Sequence, residues 1–341
     1  MGSFPIMRAG VPARGAMPSW KCARSYRGSA ASQLRLISGA VVVAVMLAAG
    51  VLHASEYGVG TYRPGQVDLF AGMLPAPGGV LVKNYFLFQD ASLTAQPQNA
   101  PVRLHTHTIT YTDATFVIYT TPWRIFGANW GVATLAQTRI ADQTLRTTVI
   151  GGPSSSQRST VGGFGDLIVS PLMLNWNFSK FHLVSALMFY APTGSYDRRR
   201  VIDIGLNRWA VEPDVGVTWL DEETGRHASL FAGYTVNAEN PSTHYLSGQE
   251  FHADFVLAQH LPHGLIAGVA GYAVQQTTPD SGSGATLGAF KGRVIGLGPL
   301  LGATVPILRV PISFSFKYDF EFAAQNRSTG NALWLTGSFR F

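Results

Sequence analysis

Residues 312–322 read Ile-Ser-Phe-Ser-Phe-Lys-Tyr-Asp-Phe-Glu-Phe. Ile312, Phe314, Phe316, Tyr318, Phe320 and Phe322 fall on one face of an extended strand, and Ser313, Ser315, Lys317, Asp319 and Glu321 on the other. Six large apolar side chains facing water would be a severe liability. The opposite face is too charged for a soluble core. A strand with lipid outside and a watery lumen inside satisfies both faces.

The same alternation recurs elsewhere. Trp209, Val211, Pro213, Val215, Val217 and Trp219 share a face, opposite Arg208, Ala210, Glu212, Asp214, Gly216 and Thr218. At ~3.3 Å per residue and a strand tilt near 40°, the two tryptophans stand roughly 25 Å apart along the membrane normal, the spacing of two aromatic girdles. The chain closes with Leu333, Leu335, Phe339 and Phe341 alternating with Trp334, Thr336, Ser338 and Arg340. Phe339 and Phe341 resemble the terminal assembly signal of outer-membrane barrels. Gly296, Gly298 and Gly302 alternate with Ile295, Leu297 and Leu301, so these glycines face the lumen.

Twelve strands are expected, at 79–90, 103–121, 128–147, 164–177, 181–193, 208–220, 226–238, 247–260, 264–276, 290–304, 308–324 and 331–341. Long connections rich in Ser, Gly, Pro, Asn and Arg (91–102, 148–163, 194–207, 239–246, 277–289, 325–330) alternate with short ones, the rule of long outer loops and short periplasmic turns. The fold class is therefore an all-β, transmembrane antiparallel barrel. Its even strand count places both ends of the barrel on the periplasmic side.

The first 54 residues differ. They carry Arg8, Arg14, Lys21, Arg24, Arg27 and Arg35 without an acid, then an apolar run from Leu36 to Leu52 and small residues after it. This is the layout of a cleavable export signal, with Met7 or Met17 as other possible starts. Removing it takes six of the 25 basic residues and leaves 19 against 19 acidic ones. A neutral mature chain gives no electrostatic footing for nucleic acid. The sole cysteine, Cys22, leaves with the signal, so disulfides and thiolate metal sites are excluded. The expected organisation is 1–54 signal peptide, 55–78 N-terminal segment and 79–341 barrel. The segment 55–78 is expected to fold into the lumen as a plug through Leu69, Phe70, Met73 and Leu74, which should not lie loose in water. A periplasmic tail is the alternative.

The parity places ten charged side chains inward: Lys83, Arg139, Arg208, Glu212, Asp214, Asp254, Lys317, Asp319, Glu321 and Arg340. They can pair into a rigid network or form a selective constriction. His105 and His107 share a face and are expected at a lumen rim; with no third donor near them, no metal and no cofactor is called. His252, Asp254 and His260 share an inward face, but a serine could be matched to them too easily to indicate catalysis. Ser154-Ser155-Ser156 and Arg198-Arg199-Arg200 are expected in outer loops, where the arginines could meet lipopolysaccharide phosphates. Gly162-Gly-Phe-Gly precedes no helix and is no phosphate loop.

Four stretches resemble one family: Tyr62-Arg-Pro-Gly-Gln-Val-Asp-Leu-Phe-Ala-Gly-Met-Leu-Pro-Ala-Pro-Gly-Gly, Gly165-Asp-Leu-Ile-Val-Ser-Pro-Leu-Met-Leu, Ala191-Pro-Thr-Gly-Ser-Tyr-Asp and Trp209-Ala-Val-Glu-Pro-Asp-Val-Gly-Val-Thr-Trp-Leu. They are similar to the outer-membrane proteins encoded with meta-cleavage phenol-degradation genes, a group that includes a sphingosine-induced relative. The resemblance spans nearly the whole mature chain. It implies passive movement of small hydrophobic or aromatic molecules across the outer membrane of a Gram-negative bacterium. The expected partners are outer-membrane lipid, lipopolysaccharide, the barrel assembly machinery and a small hydrophobic solute. Two other functions compete: a structural or adhesive surface barrel, and an outer-membrane lipid hydrolase.

Overall fold

A computed structural model describes residues 59–96, 101–285, 288–307 and 310–341; the expected signal peptide lies outside the described residues. Thirteen strand segments follow in chain order: β1 Val80–Ala95, β2 Val102–Ile125, β3 Ala128–Val149, β4 Ser154–Phe164, β5 Leu167–Phe178, β6 Phe181–Ala191, β7 Ala210–Asp221, β8 Arg226–Asn237, β9 Glu250–His260, β10 Leu265–Gln276, β11 Arg293–Ile307, β12 Val310–Gln325 and β13 Thr329–Arg340. All pairings are antiparallel, and β1 pairs with both β2 and β13, so the sheet closes on itself. Closure is what hydrocarbon demands, because a backbone N–H or C=O left at an edge would find no water there. The two ends of the barrel chain meet where Val80 and Phe341 exchange backbone hydrogen bonds of 3.2 and 3.0 Å.

β4 and β5 share one position in the ring. The outer part of β3 pairs with β4 (Thr138–Thr148 against Ser154–Phe164) and the inner part with β5 (Asn129–Leu135 against Ile168–Asn175). The barrel is thus twelve strands around, but the expected outer loop at 148–163 is a correction: most of it is strand, and Ser154, Ser155 and Ser156 lie in β4. The physical reason is that both faces of β4 are polar and mostly exposed, as on a hairpin standing clear of lipid. Backbone pairing with β3 and the Arg158–Asp142 ion pair at 2.5 Å hold it. No apolar alternation marks such a strand. At the break, Asp166 accepts Gly194 N at 2.8 Å and Leu206 N at 2.7 Å, which ties down the β6–β7 connection.

Side-chain parity follows the pleat. Leu230, Leu257, Leu297, Leu301, Phe314, Phe320 and Leu335 point outward and are exposed. Trp209 is exposed beyond the outer end of β7, and Trp219 lies on the same outward face at its inner end. Around the short turns Trp123 and Trp130 stack at 5.9 Å, and Trp130 and Trp176 donate their indole N–H to the carbonyls of Pro171 and Phe126. Amphipathic rings with a polar tip suit the boundary between lipid and water. Gly296 and Gly298 face inward; a Cβ on Gly296 would overlap the Tyr272 ring, and one on Gly298 would overlap the Tyr318 carbonyl. Glycine lets the backbone pass there.

Residues 59–79 run lengthwise inside the ring. Thr61 Oγ1 donates to Asn237 Oδ1 (2.6 Å) at the outer end of β8, and Phe70 N meets His227 Nε2 (3.4 Å) near its inner end. Gly78 and Gly79 then bond to Thr120 at the short-turn end. Leu69 packs with Val256, Ile266, Ala270 and Leu300 on one wall. Leu74 packs with Leu81, Ile118, Ala133, Met173, Val184 and Ala186 on the opposite wall.

Candidate functional site: the lumen

The lumen has two unlike halves. Strands β1, β2, β3, β5 and β6 turn mostly apolar residues inward, including Leu81, Leu87, Ile118, Leu135 and Ile168, all buried. Strands β7, β8, β9 and β12 turn acids, histidines, hydroxyls and Lys317 inward, and the N-terminal segment hydrogen-bonds chiefly to them. A lumen that is half apolar departs from the polar, water-filled interior of a porin.

The segment is held by charge and by its own backbone. Asp254 Oδ2 accepts Tyr62 Oη–H (2.8 Å), Gly65 N (3.1 Å) and Val67 N (3.2 Å). Lys317 donates to Gly65 O, and its ammonium lies 3.8 Å from Asp319 Oδ2. Lys83 pairs with Asp68, whose second oxygen accepts Ser315 Oγ–H at 2.9 Å. Gly72 N donates to Thr218 Oγ1 (2.9 Å), and Asn175 Nδ2 donates to Gly72 O (2.9 Å). Charge-assisted bonds of this kind, sealed from water, are costly to break singly.

The other inward charges occupy separate levels. Arg208 donates to Thr61 and Asn237 near the outer mouth. Arg139 sits near Gln137 (3.4 Å) on the outer cavity wall. Glu321 accepts Tyr272 Oη–H at 2.6 Å, and Arg340 lies 5.8 Å from the Phe70 ring at the inner end. Glu212 and Asp214 stand beside His252 in mid-barrel. The ten charges are therefore strung along the wall and not gathered into one constriction. His105 and His107 require a correction: on β2 the inward positions are Thr106 and Thr108, so both histidines point outward, pairing with Thr94 (3.0 Å) and Asp90 (2.8 Å). His252, Asp254 and His260 do share the inward face of β9, yet no hydrogen bond joins them. His260 instead stacks on His227, in a chain of contacts from Thr218 through Ser229 and His227 to His260. Phe70 packs across the two imidazoles.

Sequence reasoning missed Tyr62, Asp68, Tyr190 and the buried Arg327–Glu250 pair. Tyr62 and Asp68 were legible as parts of the segment, but only its aliphatic and phenylalanine residues stood out against a polar background.

Two cavities flank the segment. The outer one, about 160 Å³, is bounded by Leu93, Leu104, Ala141, Leu145, Ile202 and Arg139. The inner one, about 130 Å³, is bounded by Phe70, Met73, Phe116, Ile118, Leu135 and Met188. Tyr62 borders both. The outer cavity is roofed by the β6–β7 connection, where Val201, Ile202 and Ile204 are buried.

A closed twelve-stranded barrel with an apolar outward face and a chain segment running through its lumen has the architecture of an outer-membrane β-barrel of the channel class. Residues 94–337 match the family described as the putative MetA-pathway of phenol degradation, and the chain belongs to it. Among solved structures, the fold is similar to the COG4313 outer membrane channel from Pseudomonas putida F1, with a TM-score of 0.58 and 13% identity over 81% of this chain and 100% of that one. The translocator domain of the autotransporter NalP from Neisseria meningitidis aligns with a TM-score of 0.42 and 11% identity, over 94% of this chain and 100% of that one. No curated protein sequence matches.

Proposed function

We propose that this channel carries small hydrophobic or aromatic molecules passively across the outer membrane, along the apolar half of its lumen, with residues 59–79 as a plug. The pair of apolar-walled cavities meeting at Tyr62 carries this reading. Each is close to the ~150 Å³ of an apolar cavity that takes up a benzene ring. An apolar solute gains from leaving water for the apolar part of such walls. The segment is far smaller than the plug of an energised 22-stranded transporter, which favours passive flux. Outer-membrane lipid surrounds the outward stripe, lipopolysaccharide phosphates meet the Arg198–Arg200 loop, and the strand ending in Phe339 and Phe341 is the segment read by the assembly machinery.

Deleting residues 56–75 and measuring planar-bilayer conductance tests the plug: conductance should rise, and an unchanged value refutes it. For the solute, a knockout strain should take up hydrophobic aromatic compounds more slowly than wild type; equal uptake counts against transport. The dense bonding of the segment favours one second reading, a filled surface barrel without flux, which predicts that equality.

A further inference from the structure

The chain builds a row of three residues across three adjacent strands. Asp214 on β7 is the register partner of Gly233 on β8, and Gly233 is the partner of His252 on β9. All three positions face the lumen. A Cβ on Gly233 would overlap both Asp214 Oδ1 and His252 Nε2. The missing side chain therefore leaves a notch into which two side chains from non-neighbouring strands lean. Their closest approach is 3.9 Å, and His252 Nε2 is also 3.4 Å from Glu212 Oε1.

The three groups are 1%, 2% and 0% exposed for Glu212, Asp214 and His252. Neither Asp214 oxygen and neither His252 nitrogen has a hydrogen-bond partner. Among the described residues no lysine or arginine forms an ion pair with Glu212 or Asp214. Bare buried polar atoms of this kind are rare in native proteins and call for an explanation. Glu212 is otherwise fixed as an acceptor: Tyr190 Oη–H donates to Oε1 at 2.7 Å, and Thr235 donates to Oε2. The Tyr62 ring lies flat on the His252 imidazole, centroids 3.5 Å apart and planes 7° apart, which sets the ring's orientation while leaving its in-plane nitrogen lone pair open.

We infer that Glu212, Asp214 and His252 bind one divalent first-row transition-metal cation, of the Zn²⁺ class. The three ligand atoms lie within 4.8 Å of one another, so small side-chain shifts would bring all of them onto one ion at the usual ~2.0–2.2 Å. One imidazole and two carboxylates suit zinc or manganese; the imidazole disfavours calcium and magnesium, which take oxygen ligands. The ion would offset buried negative charge that no side-chain cation offsets. Tyr190 and Thr235 orient Glu212, and the Tyr62 ring orients the His252 imidazole, as outer groups do around metal ligands. Glu212 and Asp214 also border the inner cavity, which gives the ion a way in.

The test uses the folded mature protein in detergent, stripped with chelator and titrated calorimetrically with ZnCl₂, MnCl₂ and CaCl₂. One Zn²⁺ per chain should bind, and Ca²⁺ should not compete. Asp214→Asn, His252→Gln and Gly233→Ala should each weaken Zn²⁺ by at least about 100-fold, more than loss of an outer support alone. His107→Gln and His227→Gln should leave it unchanged. Heat-modifiable migration on a gel reports whether each variant folds. If the lumen variants do not fold, zinc X-ray absorption on the wild type decides: one imidazole with carboxylate oxygens supports the site, and two imidazoles, the signature of His227 with His260, overturns it. Absence of stoichiometric Zn²⁺ binding to wild type also overturns it, leaving the pair of carboxyls to share a proton.

Discussion

Leu335 lies mid-strand in β13, paired across to Phe86 on β1 and Phe316 on β12, and its side chain is 46% exposed on the outer face. If that face met water, Leu335→Arg would change stability by no more than about 0.5 kcal/mol, as most exposed substitutions do. If it meets the middle of a bilayer, the cost is about 2–4 kcal/mol. Leu265 is an internal control. It is 50% exposed, but it opens β10 beside the short β9–β10 turn, at the membrane boundary. There the same change should cost only about 0–1 kcal/mol. The assay is equilibrium urea unfolding in phosphatidylcholine vesicles, followed by tryptophan fluorescence. With a slope of about 3 kcal/mol/M, Leu335→Arg should move the midpoint down by about 1 M and Leu265→Arg by about 0.3 M or less. Equal shifts for the two variants, or a Leu335 shift no larger than the control, would refute lipid exposure of the outward stripe and with it the parity on which the lumen assignment rests.

Other outcomes follow from particular contacts. Lys83→Met strands Asp68 in the lumen without its cation and should cost about 3–5 kcal/mol, read in the same unfolding assay. The double variant Lys83→Met, Asp68→Leu should recover most of that loss. Gly298→Ala forces a methyl into the Tyr318 carbonyl and should yield a barrel that fails the heat-modifiability test, whereas Gly337→Ala, whose Cβ would meet only the Phe314 ring at 3.7 Å, should pass. In the β6–β7 connection, hydrogen bonds from the Arg199 side chain and backbone hold the Asp197 carboxyl down at about 2. A depressed value means that its contribution is present above the unfolded carboxyl range and lost only as pH falls through about 2. The Asp197 carboxyl carbon should therefore show no titration by NMR between pH 7 and 4, and a midpoint near 4 would contradict the contact.

The ring was legible because lipid imposes a period-two code that few other environments tolerate. Phe314, Phe316 and Phe320 against Lys317 and Asp319 could hardly be placed in any other way. β4 was not legible, since a hairpin standing in water needs no apolar face and Ser154–Thr160 reads as loop. The sense of the histidines failed for a related reason. At 105–108 the residues of both faces of β2 are polar, so parity has to be carried outward from Phe116 and Ile118 along the strand. Doing so puts Thr106 inside and His107 outside. The Asp214–Gly233–His252 row lay beyond the reach of a single sequence, because it depends on register between strands, which alternation does not encode.

The asymmetry of the lumen links these observations. A barrel whose inner face was polar all round would need water throughout, and one apolar all round would collapse onto itself or fill with lipid. Here the charged wall of β7, β8, β9 and β12 binds the N-terminal segment through Asp254, Lys317 and Thr218, and so keeps that segment off much of the apolar wall. Space is left on the side where Phe116, Leu135 and Ile168 face it across the inner cavity. The segment therefore divides the lumen: its polar bonds fix it to one half, and its Phe70 and Met73 complete the lining of the other. Replacing Tyr62, the residue common to both cavities, by alanine should join them. Uptake of an apolar aromatic solute should then rise, together with ion conductance, because the opening also bares His252 and Asp254, which Tyr62 covers. A large rise in conductance without faster uptake would show that the opened path is watery, and the division of the lumen into two chemistries would be wrong.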